Sequence, residues 1–403
     1  MHISDITFEP TRAAALDRLA SFVPSAGYDY AAGRNTDLGP SAPSAVSRLS
    51  PYLRYRILTE HEVAAAVLDK HGMAASEKFI QEVLWRTYWK GWLEMRPSVW
   101  TCFVAECEMQ RREFSDAAAL AAAESGMTGI EGFDDWAREL VATGYLHNHA
   151  RMWFASIWIF TLRLPWALGA DFFLRNLLDA DAASNTLSWR WVAGLQTVGK
   201  TYLATTENIA RYTNGRFAPT GLATTAPAST ELQPVLAQHL IEPRPPSGGV
   251  RSLLLVTAED MHPESVVQRD IPIVAAIIAT DHALLWGDSA RSLIAAAAVD
   301  VAARTSAYFG CPAHIIETLN AEPVIAAAHR AGARQVVTPY APVGPVSEAL
   351  ARLGPQLAEQ GISLARIRRP WDGSFWPHAK RGFFPFKERI GNLLDKLGVR
   401  SPA

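Results

Sequence analysis

The stretch LLDADAASNTLSWRW, residues 177–191, is the most informative part of this sequence. It places two aspartates, Asp179 and Asp181, among small and apolar residues, ahead of a tryptophan pair. The segment GYLHNHARMWFASIWIF, residues 144–160, comes shortly before it and is strongly apolar. Because a buried carboxylate is costly without a compensating partner, we expect a cation or a polar ligand to lie against these two aspartates.

The composition excludes some classes of function and leaves others open. Of the 13 tryptophans among 403 residues, ten precede residue 192, which indicates a thick aromatic core or a large planar ligand. The net charge of −2 shows no basic excess of the kind typical of nucleic-acid-binding proteins. A local basic groove stays possible, because binding to phosphates depends on a patch and not on the total charge.

Three cysteines, Cys102, Cys107 and Cys311, do not form a disulfide framework, and we interpret them as plain thiols. The first ten residues, MHISDITFEP, do not resemble a signal peptide, and no long apolar run lacks a charge. The sequence therefore predicts a soluble, cytoplasmic protein with no membrane segment.

Composition divides the chain into two parts. Residues 226–249 are rich in Pro, Ser, Thr and Gly, which predicts a linker. Residues 1–225 carry helical patterns almost throughout, so we predict an all-α domain. One helix start is marked by a capping box that Thr59 and Glu62 form.

Residues 250–403 alternate short apolar runs with helical segments, which predicts a doubly wound, Rossmann-like α/β domain to about residue 370 and a C-terminal helix. The predicted strands lie in VRSLLLV, PIVAAIIAT, HALLWG, ARQVVTPY and ISLARIRRP. Neither a GxGxxG nor a GxxxxGK[ST] motif is present, so the usual dinucleotide and P-loop signatures are missing.

Two segments combine polar groups in patterns that bind ligands. In SAVSRLSPYL, residues 44–53, two serines bracket Arg48 at the start of a helix, as a phosphate site requires. The alternative is a capped helix with a surface arginine.

In FIQEVLWRTYW, residues 79–89, Glu82 and Arg86 share a helix face, either beside a ligand or as an ordinary ion pair.

The aspartate segment and the one before it also have plain structural interpretations. His147 and His149 are two residues apart and do not share a helix face, so we predict no metal site there. Arg151 is better suited to reach an aspartate elsewhere in the core. In the alternative interpretation, Asp179 and Asp181 are exposed acids in a loop and Asn185 caps a helix. Trp189 and Trp191 are then ordinary core residues.

Taken in order, SRLSPYL, EVLWRTYW, TGYLHNHARM and LLDADAASNTLSWRW resemble the signatures of the flavin-binding domain of the photolyase and cryptochrome superfamily. The resemblance runs from about residue 7 to about residue 217. In that family an α/β domain precedes the flavin domain, whereas here a segment resembling it follows. The resemblance therefore implies FAD as cofactor and a swapped or circularly permuted domain order.

The resemblance also implies a role for individual residues. Arg151 would pair with Asp179 across the flavin ring, and Asn185 would face the flavin N5 atom, where an amide can donate or accept a hydrogen bond. The other implied FAD contacts are Tyr30, Ser47, Arg48, Leu49 and Ser50 around the pyrophosphate, Arg86 beside the flavin pocket, Asn148 near the adenine or the ring, and Asp181 near the ribityl chain or a ring carbonyl.

In this family, light drives electron transfer. Glu82 would lie at the rim, where the family contacts a damaged base that is flipped out of DNA. Trp189 would be the first tryptophan, and Trp166 the second, in a chain that passes an electron to the flavin, with Trp191 in the same region. Two features depart from the family pattern: Phe79 replaces the tryptophan that stacks on the lesion, and no tryptophan lies near Phe114 as third donor.

Trp136 and Trp153 are candidates to replace that third donor. Three functions stay open at this point. They are repair of UV-damaged pyrimidines in DNA, blue-light reception with a protein partner, and flavin catalysis on a small molecule. Whether a second antenna chromophore binds between the domains also stays open.

Overall fold

The computed structural model describes residues 7–230 and 235–399, and its elements between residues 7 and 225 are helical. The helices of this part are α1 (Arg12–Phe22), α2 (Tyr28–Gly33), α3 (Ser50–Arg54), α4 (Glu60–Glu94), α5 (Ser98–Glu113), α6 (Ala117–Ser125), α7 (Phe133–Thr143), α8 (Asn148–Ser156), α9 (Trp166–Asn176), α10 (Ala182–Val192) and α11 (Thr206–Tyr212).

Helix α4 organises the helical part. The capping box predicted at its start is confirmed: the Thr59 hydroxyl accepts from the Glu62 amide at 3.3 Å, and the Glu62 carboxylate accepts from the Thr59 amide at 2.9 Å. Gly72 interrupts the helix with φ of 66°, a backbone conformation that glycine adopts without steric cost. Beyond Gly72 the helix continues through a largely buried second half to Glu94, where it packs against α10.

The second part of the chain is a five-stranded parallel sheet with helices on both faces, as predicted. The strands are β1 (Ser252–Val256), β2 (Ile273–Ala279), β3 (Ala313–Ile316), β4 (Gln335–Pro339) and β5 (Ser363–Ile367), in the order β3-β2-β1-β4-β5. The helices are α12 (Asp288–Phe309), α13 (Ala321–Arg330), α14 (Pro345–Glu359), α15 (Pro370–Phe375), α16 (Phe383–Lys387) and α17 (Ile390–Lys396).

Alternate residues of β1 serve the two faces of the sheet. Leu253 and Leu255 pack with the core under α13 and α14, whereas Leu254 and Val256 belong to the larger core shared with α12 and the helical part. Burial on both faces explains why these strands read as continuous apolar runs and not as alternating patterns.

Two predictions for this part of the chain were wrong. The segment HALLWG is not a strand but a short turn of helix over His282–Leu284, because the Asp281 carboxylate accepts from the Ala283 amide at 2.9 Å and curls the chain. Strand β3 was missed, because it lies at the sheet edge with half-exposed residues and lacks a strong apolar run.

The predicted linker, residues 226–249, contains neither helix nor strand in its described portions, and residues 231–234 lie outside them. It is held to both parts of the molecule by backbone hydrogen bonds. The Ser229 amide donates to Ala193, the Gln238 amide donates to Met95, and the Arg366 amide of β5 donates to Arg244.

A buried network of charges joins the two parts. Arg56, 1% exposed, donates to Asp372 at 2.7 Å and lies 3.6 Å from Asp260. Arg369 makes two bonds of 2.6 and 2.7 Å to the same Asp260. Separating the two parts would leave these buried charges without partners, which is costly. The network therefore holds the sheet in one position against the helices. Among the residues described, no helix is long and apolar enough to cross a membrane.

Candidate functional site

The loop between α9 and α10 carries the two aspartates, and Asp179 is 3% exposed there. Its carboxylate accepts from both terminal nitrogens of Arg151, at 3.0 and 2.9 Å. Burial alone would raise the pKa of Asp179, but the charges of Arg151 and Arg86 outweigh it and hold this pKa below its usual value. The Ser50 hydroxyl also bonds this carboxylate, so residues 47–50 lie against the same loop.

Asp181 has two partners of its own. One oxygen accepts from the amides of Ala183 and Ser184, at 3.0 and 2.7 Å, and so caps α10. The other oxygen pairs with Arg86. Burial opposes ionisation, but Arg86 and then Lys90 bring the pKa of Asp181 down to about 2. The carboxylate is therefore ionised at neutral pH without a ligand.

The sequence did not predict the role of Arg54 in this loop. Its Nε atom donates to the Ala180 carbonyl at 2.8 Å, and its two terminal nitrogens each reach a Glu259 oxygen at 2.8 Å. Glu259 follows β1, so one buried arginine ties the aspartate loop to the α/β part.

A cleft of about 240 Å³ lies beside Arg48 and is lined by Asp37, Leu38, Gly39, Ser44, Val46, Arg48, Glu139, Tyr145 and His147. Arg48 has φ of 52°, a left-handed conformation that non-glycine residues rarely adopt and that is concentrated at ligand sites. Burial, followed by the charge of Asp37, raises the pKa of Glu139 to about 8. Sequence reasoning missed Glu139, because a single acid on a helix carries no pattern.

Other predicted residues are held by contacts of their own outside the lining of this cleft. Glu82 pairs with Arg34, and Tyr30 packs its ring edge-on against Phe79 with the centroids 5.1 Å apart. The Ser47 hydroxyl accepts from the Leu49 amide at 3.3 Å. Helix α3, which Ser50 begins, has only five residues, so it contributes less to phosphate binding than the sequence suggested.

The two asparagines differ in placement. Asn148 is exposed at the first position of α8, at the surface. Asn185 is 6% exposed, and its amide nitrogen donates to the Ala170 carbonyl at 2.8 Å. Since a carbonyl oxygen only accepts, this bond fixes the orientation of the amide and uses one of its two N–H donors.

Trp189 is 2% exposed in a group of rings. It lies edge-on to Phe173 and Trp158, with centroids 5.0 and 6.2 Å away. The Trp158 indole donates to the carbonyl of Pro165, the residue before Trp166, at 2.9 Å. Gly169, also on α9, leaves room for the Trp189 ring, which a Cβ atom would meet at 2.4 Å.

The remaining predicted tryptophans point elsewhere. Trp191 stacks on Tyr202 at 5.7 Å. Trp136 and Trp153, the candidates for a third electron donor, stack on each other at 5.4 Å, and their indoles donate to Asp37 and Asn208. Their partners thus lie toward the cleft and α11.

Comparison with known proteins finds similarity in the helical part of the chain. Residues 79–217 match the family described as the FAD binding domain of DNA photolyase. Over this range, which holds both aspartates and both of their arginine partners, the chain is similar to the FAD-binding domain of photolyases.

Individual relatives are deoxyribodipyrimidine photo-lyases. That of Streptomyces griseus is 37% identical over 157 residues, which are 39% of this chain and 34% of that protein. That of Thermus thermophilus is 34% identical over 194 residues, 46% of this chain and 43% of that protein. The chain thus spans less than half the length of these curated relatives.

Two solved structures are also similar. A class III photolyase from Agrobacterium tumefaciens is 27% identical with a TM-score of 0.42, covering 50% of this chain and 44% of that one. A cryptochrome from Synechocystis is 23% identical with a TM-score of 0.46, covering 53% and 45%.

The side chains fit an FAD in their chemistry. Three polar atoms are buried without a hydrogen-bond partner in this region: Nε of Arg48, Nε2 of His147 and Oγ of Ser184. Such atoms cost free energy unless a ligand or water satisfies them. The cleft beside Arg48 encloses little open space, so in this conformation it takes only part of an FAD.

Proposed function

We propose that this protein is an FAD-dependent flavoprotein that uses light to drive electron transfer and repairs UV-damaged pyrimidines in DNA. The observation that carries the proposal is the aspartate loop, in which Arg86 and Arg151 hold Asp179 and Asp181 ionised inside the domain that matches the family. Bound FAD would supply light absorption and one-electron chemistry.

In this proposal the protein's own groups orient the cofactor. Arg48, Ser47 and Ser50 bind its phosphates, with Tyr30 and Leu49 alongside, and Arg86, Arg151 and Asp179 hold the loop rigid. Asn185 has its amide oriented by the bond to Ala170, and it faces the flavin ring with its oxygen and its second N–H available as acceptor and donor. Asn148, at the surface, lies at the rim.

The substrate side of the proposal rests on Glu82 and on basic residues of the C-terminal segment. The Tyr88 hydroxyl and an Arg96 guanidinium bind the backbone of Arg381 and Lys380 at 2.6 and 2.9 Å, so this segment lies along α4. The Lys380 and Arg381 side chains are exposed there. Phosphates of a DNA strand are the natural counter-charges for such residues.

One contact favours a second candidate, a blue-light photoreceptor that a protein partner reads. Phe383 stacks on Trp85 with ring centroids 3.7 Å apart and planes 10° apart. Trp85 lies three residues from Glu82, so the chain itself covers the aromatic surface beside the proposed base site. A photoreceptor needs no open base pocket, whereas a repair enzyme requires this ring to move.

The domain organisation is part of the proposal. Residues 1–225 form the flavin domain, residues 226–249 the linker, and residues 250–403 an antenna-type domain in swapped or permuted order. A cleft of about 220 Å³, lined by residues that include Thr257, Asp281 and Leu319, lies where strands end, the edge at which α/β sheets bind ligands. We place a second chromophore there.

The test is repair in blue light against darkness. The purified chain should show a flavin spectrum and should restore irradiated oligonucleotides only in light. Trp189→Phe should keep the flavin and slow its photoreduction, with Trp136→Phe as a matched control from another ring group. Photoreduction without repair would favour the photoreceptor, and a chain that binds no FAD when it is supplied would overturn both functions.

A further inference from the structure

Helix α5 carries rings that extend the aromatic group away from Trp166. Phe103 lies 5.6 Å from Trp166 and 5.6 Å from Trp100, measured between ring centroids. Trp100 and Phe103 are three residues apart and therefore share one helix face. Cys107, one turn further, donates its thiol to the Ala167 carbonyl at 3.3 Å, which holds that face against α9.

The indole of Trp100 donates to a carboxylate that belongs to the other part of the chain. Trp100 is 2% exposed, and its Nε1 atom donates to the carboxylate of Glu348 at 3.0 Å. Glu348 lies on α14 of the α/β part and is exposed. The bond therefore connects a buried indole of one domain with a solvent-exposed base of the other.

The α/β part also fixes the Trp100 ring itself. Trp286 packs edge-on against it, with centroids 5.2 Å apart and planes at 84°. Gly287, the next residue, allows this approach, because a Cβ atom there would lie 1.9 Å from the Arg175 carbonyl at the end of α9. Trp100 is thus enclosed by rings from both domains.

We propose that Trp100 is the terminal electron donor of this protein and that Glu348 is its proton acceptor, so that the electron path is complete only where the two domains meet. This inference rests on the proposed function. An electron passes from Trp100 to oxidised Trp166, and the Nε1 proton of Trp100 passes to the Glu348 carboxylate. Trp100 becomes a neutral radical, Glu348 a carboxylic acid, and an added thiol later returns one electron and one proton.

Loss of the proton stabilises the separated charges. A tryptophan radical cation is far more acidic than neutral tryptophan, and a carboxylate already bonded to its N–H takes the proton without reorganisation. The neutral radical is a weaker oxidant than the cation, which slows return of the electron. The exposed position of Glu348 lets the proton exchange with solvent.

The experiment is flash absorption on the full-length chain loaded with FAD. Trp100→Phe should lose most of the long-lived tryptophan radical signal, and Glu348→Gln should leave a cationic radical in place of the neutral one. Trp371→Phe is the matched control and should change neither signal, because Trp371 is equally buried and its indole donates to the Thr87 hydroxyl at 2.9 Å. An unchanged neutral radical in Trp100→Phe or in Glu348→Gln would overturn the inference.

A second measurement needs no flavin. In the ultraviolet resonance Raman spectrum of the FAD-free chain, the band that reports indole hydrogen bonding should shift in Glu348→Gln and lose one component in Trp100→Phe. Because Glu348 is exposed, its variant tests the bond even if Trp100→Phe does not fold. No shift in Glu348→Gln would refute the bond.

The two proposals fail separately. If Trp189→Phe leaves photoreduction unchanged, light-driven transfer through these tryptophans fails as a whole. If Trp189→Phe abolishes it while Trp100→Phe retains the long-lived radical, only the assignment of Trp100 fails.

Discussion

Replacing Asp179 by asparagine tests the centre of the site. The substitution keeps the shape of the side chain but removes its charge, so Arg151 loses the partner that it bonds at 3.0 and 2.9 Å. Removing one member of a buried ion pair costs about 3–5 kcal/mol. The Arg151 side chain is 23% exposed, so water compensates part of the loss, and we expect roughly 2–4 kcal/mol.

The assay is urea unfolding of the FAD-free chain, followed by flavin titration of the folded variant. Asp288→Asn is a matched control, because Asp288 also accepts from an arginine, at 2.7 Å, but its side chain is 94% exposed. Exposed pairs contribute little, so this control should be close to the wild type. Equal effects of the two substitutions would refute the reasoning, and unchanged flavin affinity in Asp179→Asn would contradict a role in the flavin site.

Two further predictions concern the other charged groups. The pKa of Glu139 is raised from 4.5 to about 8, so the unfolded chain loses this proton at a lower pH than the folded chain, and the free energy of unfolding falls as pH rises between these values. Glu139→Gln should flatten that fall in thermal melts recorded across this pH range. An unchanged pH profile in the variant would exclude a neutral Glu139 at pH 7. Arg54→Met leaves Glu259 buried without its cation and should lower the free energy of unfolding by about 3–5 kcal/mol. Adding Glu259→Gln should recover most of this loss in the double variant. If the losses of the two single variants simply add in urea unfolding, the two residues do not act as a pair.

Local patterns predicted the elements that local physics forms. The capping box at Thr59 needs residues only three apart, and it is present. The alternation of strands with helices predicted a parallel sheet, and the runs of β1 and β4 are apolar because these strands are buried on both faces. Strand β3 was missed because its residues are half-exposed and do not form a long apolar run.

The aspartate segment shows both sides of this division. Its sequence established that two carboxylates lie beside apolar helices and need partners, and the resemblance pointed to Arg151 for Asp179. The bond of Asn185 to Ala170 and the capping of α10 by Asp181 depend on how two helices pack. The orientation of the amide is therefore a result of tertiary structure.

By itself the sequence determined a helical first part, an α/β second part and the resemblance to the photolyase and cryptochrome superfamily, because helix caps, apolar periods and motifs depend on neighbouring residues. Tertiary structure alone decided which charges and rings meet across the domains. Arg54 and Glu259 are 205 residues apart, and Trp100 and Glu348 are 248 apart. Contacts at such separations leave no periodicity in a single sequence, since only the packing of helices on the sheet brings them together.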